Sequence, residues 1–516
     1  MLEKASLRQP GAILLVSCYE LGHQPIGIAL PMGFLEQAGY APASLDIAVE
    51  KVDLERIKQA RFVGISVPMH TALRLGVRVA ELVRETNPSC HICFYGLYAS
   101  LNAEYLLELF SPARLRRDDP LQPGATGIPT RPLPFADSVI GGEYEAPLVR
   151  VMEALERGDS LEHVEGVSNG GKIVGPHLKR LPFAVPSRNG LPALERYAHL
   201  EHDGGQHVVG YVEASRGCLH HCLHCPIVPV YEGRFFILPA EVVLEDIRRQ
   251  VRAGATHITF GDPDFLNGPG HSLSIVRAMR AEFPRVTFDF TAKIEHILKH
   301  RSIFSELGSL GCLFVISAVE SFSDLVLAKL EKGHTRADVF AALAIVRQAG
   351  ITLRASLVPF TPWTTLEDYL ELFDIAESRD LVDATDPVQY TIRLLIPPGS
   401  ALLTRSDVRR FLGQLDQAGF QYQWTHPDPR MDKLHREVSA AVEATASTSA
   451  DPAATFDRLR AIAYWFADRQ PVDPVASRTP SRDRHRPPRL TEPWFCCAEP
   501  TERQLHPLHT KGCGEV

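Results

Sequence analysis

Residues 213–226 read Glu-Ala-Ser-Arg-Gly-Cys-Leu-His-His-Cys-Leu-His-Cys-Pro and place Cys218, Cys222 and Cys225 in a Cys-x3-Cys-x2-Cys pattern. Three thiolates this close together can converge on one face of an iron–sulfur cube, and a fourth thiolate would close the cluster. No fourth cysteine lies nearby in the sequence. The spacing therefore predicts a 4Fe–4S cluster with one iron left open to bind a small molecule.

A zinc site is the alternative interpretation of this loop, because His220, His221 and His224 lie among the cysteines. Structural zinc sites usually take four ligands as two separated pairs, and that spacing is missing. The flanking pattern favours catalysis: it predicts a strand at 208–214, a helix at 239–253 and the next strand at 256–260. Enzymes of the α/β class place their chemistry in loops at the carboxyl ends of such strands.

The cysteine loop and its flanking elements resemble the radical S-adenosylmethionine (SAM) superfamily. In that superfamily the open iron chelates the amino and carboxyl groups of the methionine portion, and electron transfer yields a 5′-deoxyadenosyl radical. The resemblance implies a 4Fe–4S cluster on Cys218, Cys222 and Cys225, SAM as a cofactor, and a low-potential electron donor such as flavodoxin or ferredoxin. The cofactor then carries the difficult chemistry, and the protein supplies position and exclusion of water.

Composition narrows the class of protein. The chain has 516 residues, of which 45% are hydrophobic and 22% charged, with a formal net charge of −8. This is typical of a soluble globular protein with more than one domain. The negative charge argues against nucleic-acid binding, and no apolar run reaches the length of a membrane span. The scattered cysteines indicate a reducing compartment, so we expect a cytoplasmic protein. Its expected partner is an unknown small-molecule or peptide substrate.

The chain predicts an α/β fold in several parts. Residues 1–150 alternate apolar strands with amphipathic helices, which is typical of a doubly wound parallel sheet. Residues 151–206 are expected to form a connector with a small hairpin near 167–174. Residues 207–400 predict an open (β/α)6 partial TIM barrel, with strands at 208–214, 256–260, 287–290, 313–317, 353–357 and 388–395.

The C-terminal part is expected to be helical and then flexible. Residues 401–470 predict a helical region, in which 402–418 and 454–466 are the clearest helices. Residues 471–490 are rich in Pro, Arg and Ser, as is typical of a flexible segment. We therefore expect residues 471–516 to be a tail, which carries the Cys-Cys-Ala-Glu-Pro motif.

Further candidate SAM-binding residues follow the predicted barrel strands. Gly261 and Asp262 end the second strand. At this position, members of the superfamily that the chain resembles accept hydrogen bonds from the ammonium group of SAM. Ser317 and Glu320 lie in a stretch similar to the family's Gly-x-Glu-Ser, and Arg354 could pair with the cofactor carboxylate. Three of them have a structural alternative: a turn at Asp262, a charge at a helix N-terminus at Glu320 and a surface salt bridge at Arg354.

The N-terminal sheet resembles the cobalamin-binding domain of one branch of the superfamily. The matching pieces lie at the carboxyl ends of strands and give Ser66, Gly96, Gly141 and Gly142 as candidate cobalamin contacts, since small residues let a nucleotide tail approach the backbone. The family's cobalt-binding Asp-x-His-x-x-Gly motif is missing, and His23 is not predicted as a ligand. A vestigial domain without cobalamin is the alternative.

The tail contains Cys496-Cys497-Ala498-Glu499-Pro500, with Cys513 close behind. Neighbouring cysteines fit disulfide geometry poorly, so redox exchange or soft-metal capture is the expected chemistry. The ending resembles the CUAEP/CCAEP-tail radical SAM (seleno)proteins, in which selenocysteine can replace the residue equivalent to Cys497. The resemblance implies catalytic roles for Cys496 and Cys497, and the alternative is a mobile end with incidental thiols.

These observations predict a radical SAM enzyme that modifies a carbon of an unknown substrate, with cobalamin-dependent methyl transfer as the leading reaction. A second hypothesis is a cobalamin-independent rearrangement, sulfur insertion or oxidation. A third is a metal-binding or sensing protein without catalysis.

Overall fold

The computed structural model describes residues 6–107, 134–170, 172–446, 451–469 and 486–492. These residues form two large sheets with their helices and a C-terminal region. Within the described ranges, no helix has both the length and the hydropathy that crossing a bilayer requires. The tail cysteines Cys496 and Cys497 lie outside the described residues.

The first unit is an α/β sheet with helices on both faces. Its strands are β1 (Ile13–Ser17), β2 (Ala43–Asp46), β3 (Phe62–Ser66), β4 (His91–Tyr95), β5 (Ser138–Ile140) and β6 (Val167–Asn169). Its helices are α1 (Ile26–Gln37), α2 (Leu54–Gln59), α3 (His70–Thr86), α4 (Leu97–Leu101), α5 (Ala103–Leu107) and α6 (Glu145–Arg157). The strand order is β2-β1-β3-β4-β5-β6 among the described residues, and only β6 is antiparallel to its neighbour. The predicted doubly wound parallel sheet is confirmed.

Strand β1 shows why this sheet forms. Leu14 and Val16 point into the core on one face, and Ile13 and Leu15 point into the core on the other. A strand that is covered on both faces reads as a continuous apolar run, because no position along it meets water.

The second unit is a curled sheet. Its strands are β7 (His199–His202), β8 (Gly205–Val212), β9 (Ser215–Gly217), β10 (Phe235–Ile237), β11 (His257–Phe260), β12 (Thr287–Ala292), β13 (Cys312–Glu320) and β14 (Thr352–Leu357). Its helices are α7 (Val228–Tyr231), α8 (Ala240–Arg252), α9 (Pro269–Glu282), α10 (Ile294–Lys299), α11 (Phe304–Ser309), α12 (Asp324–Lys329), α13 (Arg336–Gln348) and α14 (Leu366–Ser378). Strands β8, β11, β12, β13 and β14 pair in parallel, and β9 pairs with β10 as a separate ribbon.

The two faces of the curled sheet differ in polarity. Ile258 and Phe260 point outward into the core beneath the helices, whereas the residues between them point to the inner face. There His257 Nε2 lies 2.8 Å from Asp289 Oδ1, and the Thr259 hydroxyl donates to the same oxygen at 2.6 Å. A polar inner face and an apolar outer face are what a half-barrel with an accessible mouth requires.

The predicted sixth barrel strand at 388–395 is not a strand. A 3-10 turn at Pro387–Tyr390 replaces its first half. Its second half makes one isolated parallel bridge, between Phe360 and Arg393. The ladder does not extend, because Pro362, two residues further on, has no backbone N–H to donate and the Val358 N–H donates to the Glu320 carbonyl instead. The half-barrel fold is nevertheless the one predicted.

The C-terminal region mixes helices with a hairpin. Its elements are α15 (Ser406–Arg409), β15 (Leu412–Asp416), β16 (Gln421–Trp424), α16 (Pro429–Ala446), α17 (Pro452–Phe466) and β17 (Arg489–Leu490). The predicted helix at 402–418 is wrong, because β15 pairs with β16 in its second half. The turn between them forms where the Gly419 N–H donates to the Asp416 carboxylate at 3.0 Å. Strand β17 pairs with β7 at the edge of the curled sheet.

The connector is attached to the first sheet at Gly142. The His177 N–H donates to the Gly141 carbonyl at 2.9 Å, and the Glu143 N–H donates to the His177 carbonyl at 2.7 Å. Gly142 has φ +74°, and a Cβ there would lie 2.3 Å from the His177 carbonyl oxygen. The residue must therefore be glycine for two reasons, its backbone conformation and the approach of a second backbone.

We expect Gly142→Ala to lower the unfolding midpoint more than Gly158→Ala does. Gly158 has the same φ of +74° but nothing within 4 Å of its Cβ position. The left-handed conformation lowers the stability of both variants by about 1 kcal/mol. Only Gly142→Ala loses a further amount of about 1–3 kcal/mol through overpacking. Thermal melts of the two variants beside the native chain measure the difference; equal midpoints would contradict the close contact with His177.

Candidate cluster and cofactor site

The structure gathers the three predicted thiols in one loop. Cys218 follows β9 directly, and Cys222 and Cys225 lie in the segment before α7. Two turns fold this segment back on itself: the Cys225 N–H donates to the Cys222 carbonyl at 3.1 Å, and the Val228 N–H donates to the Cys225 carbonyl at 3.3 Å. All three thiols are free, and they lie close enough to influence one another's ionisation.

The donor chemistry of these thiols fits an iron–sulfur cluster. Burial, together with the adjacent Cys222 and Cys218 thiols, raises the pKa of Cys225 to about 12. Burial also raises the pKa of Cys218. Such thiols resist ionisation on their own, whereas coordination to a cation deprotonates them. Three converging thiols leave one iron of a 4Fe–4S cluster without a thiolate.

Glu320 is brought to the cysteine loop. Its carboxylate lies 3.1 Å from Lys332 Nζ and 3.3 Å from Nε2 of His224, which immediately precedes Cys225. Burial alone would raise the pKa of Glu320, but Lys332 and His224 outweigh it and lower the pKa to about 2. Burial also opposes the charge of Lys332, yet Glu320 and the Cys222 thiol hold its pKa above the usual value. A buried positive charge therefore lies beside the thiols.

Asp262 supports the start of the cysteine loop. Its Oδ2 accepts a hydrogen bond from the Ala214 N–H at 2.9 Å, and its Oδ1 accepts one from the Ser215 hydroxyl at 2.5 Å. Burial raises the pKa of Asp262 to about 7. A Cβ at Gly261 would lie 2.1 Å from the Tyr211 hydroxyl, so no side chain fits there. Asp262 thus positions β9, and its binding of the SAM amine stays a prediction.

The remaining candidates on the barrel strands are engaged elsewhere. The Ser317 hydroxyl donates to the Ala292 carbonyl at 2.8 Å. Arg354 forms a 2.6 Å ion pair with Asp386 and donates to the Pro488 carbonyl at 3.2 Å. The guanidinium thereby ties β14 to the C-terminal edge strand. This arrangement gives no support to the predicted contact between Arg354 and the SAM carboxylate.

The three histidines of the loop point in different directions. His224 contacts Glu320, whereas His220 Nε2 lies 3.2 Å from His296 Nε2. His221 is exposed, with its ring against Gly233. Each ring therefore has its own surroundings, which does not favour a zinc site closed by these histidines and the thiols.

The candidate cobalamin contacts lie at the carboxyl edge of the first sheet, where the chain's own packing already needs small residues. Gly96 has φ +107° where α4 begins. A Cβ at Gly141 would lie 2.3 Å from the Ser100 Cβ, and Gly142 meets the His177 backbone. The Ser66 hydroxyl lies against the first turn of α1. These contacts explain the small residues without a ligand, so the cobalamin contacts stay a prediction.

A buried ion-pair cluster joins the first sheet to the cysteine loop, and sequence reasoning missed it. Arg216, two residues before Cys218, lies 2.6 Å from Glu145 and 3.6 Å from Glu143. It also donates to Glu213 at 2.8 Å, and the Tyr231 hydroxyl donates to Glu143 at 2.9 Å. Both Glu143 and Glu145 are fully buried. In the sequence, these residues stand out only as charges in or beside the quoted motifs. No periodic pattern of apolar and polar residues marks them as partners.

Comparison with known proteins finds a family model that covers the cysteine loop. The sequence model of the Radical SAM superfamily matches residues 212–375. Hopanoid C-3 methylase of Methylococcus capsulatus is 26% identical over 229 residues, which are 44% of this chain and 43% of that protein. The tRNA-2-methylthio-N(6)-dimethylallyladenosine synthase of Desulfosudis oleivorans is 26% identical over 221 residues, 41% of this chain and 44% of that protein. The chain thus spans less than half the length of these relatives.

Solved structures resemble the chain more widely. The cobalamin-dependent SAM radical enzyme OxsB with aqua-cobalamin bound gives a TM-score of 0.66 at 16% identity, covering 89% of this chain and 72% of OxsB. The radical SAM methyltransferase TsrM from Kitasatospora setae gives 0.54 at 16% identity, covering 71% of each chain. At these identities the likeness concerns the fold. Residues 212–375, with their three gathered thiols, form a radical SAM superfamily domain, and such a domain implies a 4Fe–4S cluster and SAM.

Proposed function

We propose that the chain is a cobalamin-dependent radical SAM methyltransferase that modifies a carbon of a small-molecule or peptide substrate. The observation that carries this proposal is the ion-pair cluster of Arg216. It holds the carboxyl edge of the first sheet, at Glu143 and Glu145, against the loop of Cys218. Ligands of doubly wound sheets bind at that edge. A cofactor bound there would therefore lie next to the 4Fe–4S cluster held by the cysteine loop.

The polar groups at this interface suit the amide side chains of a corrin. Glu145 Oε1 pairs with Arg216 Nη1 at 2.6 Å, whereas Glu145 Oε2 and Arg216 Nη2 are buried without an aligned hydrogen-bond partner among the described residues. Such atoms are costly unless a partner satisfies them. His23 does not present itself as a cobalt ligand, because its buried ring stacks on Tyr211 with the ring centroids 4.4 Å apart. The residues therefore fit a cobalamin that would take no ligand from His23.

The roles of the chain's own residues follow from their positions. When bound, SAM and cobalamin supply hydrogen abstraction and a transferable methyl group. Cys218, Cys222 and Cys225 hold the cluster, and Asp262 and Arg216 orient the loop on which they lie. Lys332 places a buried positive charge beside the thiolates and favours their ionised form.

The tail and the electron donor complete the proposal. The Cys-Cys-Ala-Glu-Pro ending supports membership of the CUAEP/CCAEP-tail group, in which Cys496 and Cys497 act as redox or nucleophilic thiols. A reduced flavodoxin or ferredoxin is the proposed electron source in the cytoplasm. The second candidate is a cobalamin-independent radical reaction, and the self-packed glycines at Gly141 and Gly142 favour it.

Cys222→Ala should abolish the cluster and SAM cleavage. We expect iron and sulfide content to fall and 5′-deoxyadenosine formation to drop more than about 100-fold, beyond what loss of an outer-shell partner costs. Cys312→Ala is the control, since this buried thiol lies at the start of β13 and donates to the Phe314 carbonyl. Anaerobic reconstitution and chromatography of the nucleoside measure both effects. Full cleavage by Cys222→Ala would exclude it as a cluster ligand.

Retained corrin tests the cobalamin proposal. Protein purified with added hydroxocobalamin should carry about one corrin per chain through gel filtration, visible in its absorbance spectrum. The Cys222→Ala chain should retain the same amount, because the corrin would bind the first sheet and not the thiols. A colourless native protein that still cleaves SAM would instead favour the cobalamin-independent reaction.

Cys497→Ser separates SAM cleavage from product formation. If the tail thiols act in turnover, 5′-deoxyadenosine still forms while transfer of labelled methyl into a cell extract stops. A thiol is far more ionised than a hydroxyl at neutral pH, so serine cannot replace it as a nucleophile. Cys513→Ser is the matched tail control and should keep transfer. Undiminished transfer by Cys497→Ser would reduce the tail to a tether.

A further inference from the structure

A second group of metal-binding side chains meets beside the cysteine loop, and the proposed reaction uses none of them. His220 lies between Cys218 and Cys222, Asp264 follows β11, and His296 lies in α10. Their ligand atoms all lie within 4.8 Å of one another. Three separate segments of the chain thus converge on one point.

The distances between these atoms are close to those around a bound ion, with one inside the expected range and two within a few tenths of an ångström of it. Nitrogen and oxygen ligands lie about 2.0–2.2 Å from zinc, which puts neighbouring ligands roughly 3–3.6 Å apart. His220 Nε2 lies 3.2 Å from His296 Nε2 and 3.8 Å from Asp264 Oδ2. His296 Nδ1 lies 2.8 Å from Asp264 Oδ2. His296 meets His220 through Nε2 and Asp264 through Nδ1, so its ring has to turn for a single nitrogen to reach the ion.

His296 provides an independent sign of a missing ligand. Its side chain is only 6% exposed, and its Nδ1 lies near the Asp264 carboxylate. Yet this nitrogen makes no aligned hydrogen bond among the described residues. A buried polar atom without an aligned partner is rare, and a bound ion is one of its few explanations.

The surroundings hold the ligands in place. The Leu266 N–H donates to Asp264 Oδ1 at 2.9 Å, and the Lys293 N–H donates to Oδ2 at 3.2 Å. On the far side of His220, Nδ1 lies 3.2 Å from Lys293 Nζ and 3.7 Å from the Glu295 carboxylate. Lys293 in turn donates to Glu295 at 3.1 Å, so this pair fixes the position of the His220 ring.

We propose that His220, Asp264 and His296 bind one divalent transition-metal ion, of the zinc or ferrous-iron class. Two imidazoles and one carboxylate suit these ions and leave a coordination position open. The ion would fasten the cysteine loop to α10 and to the loop after β11. This site is distinct from the three cysteines and does not need the cluster.

A hydrogen-bonded chain without an ion is the competing explanation. Lys293 Nζ lies 3.2 Å from His220 Nδ1, so its ammonium could donate there. His220 would then donate through Nε2 to His296, and His296 through Nδ1 to Asp264. This order gives every group a contact without metal, although the His296 Nδ1 contact is not aligned as a hydrogen bond, and it predicts no affinity for zinc.

Zinc content decides between the two. The full-length chain is reconstituted anaerobically with iron and sulfide, equilibrated with zinc chloride, desalted, and analysed for both metals by mass spectrometry. We expect His296→Ala and His220→Ala each to bind about one zinc ion fewer per chain than the native protein, with iron unchanged. His221→Ala is the control and should keep the native zinc content. Zinc held by the tail thiols is common to all samples and cancels.

Each outcome has one meaning. Equal zinc in the native and His296→Ala chains overturns the proposal and favours the hydrogen-bonded chain. Low iron in every sample with the zinc difference intact would refute the cluster but leave this site standing. Should His296→Ala lose its circular-dichroism spectrum, His220→Gln decides instead, since its ring is more exposed. Zinc should also raise the native melting midpoint by about 2–4 °C and leave His296→Ala unshifted.

Discussion

The arrangement of the two sheets depends on the ion pairs that the buried guanidinium of Arg216 forms. Its two partners from the first sheet, Glu143 and Glu145, are fully shielded from water. Burial raises the pKa of Glu143 to about 7, while Arg216 pulls it down. Breaking a buried pair by removing one partner costs about 3–5 kcal/mol, because it leaves an uncompensated charge. The two sheets therefore cannot separate without exposing or stranding these charges, and the cysteine loop is fixed to both.

The loop is held at three further points before any cofactor arrives. Asp262 binds the backbone and hydroxyl at its start, and His224 contacts Glu320 near its end. Between them, the Leu223 N–H donates to the Leu330 carbonyl at 3.1 Å. A ligand set that is already ordered loses less conformational entropy on binding. The short spacing of the thiols provides convergence, and these contacts provide a fixed direction.

The sequence was sufficient where local pattern decides the outcome. The apolar runs of the first sheet and the thiol spacing both depend on neighbours in the chain. The sheet forms as predicted, and the three thiols lie in one loop. The sequence failed where a distant partner decides. The alternating apolar residues of 388–395 suggest a strand, but beyond the single bridge at Phe360 the facing segment offers no N–H, since Pro362 lacks one and Val358 donates to Glu320. Arg216 and His296 carry no periodic signal, since their partners lie in segments far away in sequence.

Glu320 shows how the fold departs from regularity where chemistry is expected. The register of β13 against β14 shifts between Ala318 and Glu320. Glu320 itself has φ +62°, a conformation that costs a non-glycine residue about 1–2 kcal/mol. A regular strand would spare that cost but would carry the carboxylate along the ladder instead of toward Lys332 and His224. The ion pair between Glu320 and Lys332, both almost fully buried, offsets the strain. Strain of this kind persists only where surrounding contacts over-determine it, and here those contacts are the ones that hold the cysteine loop.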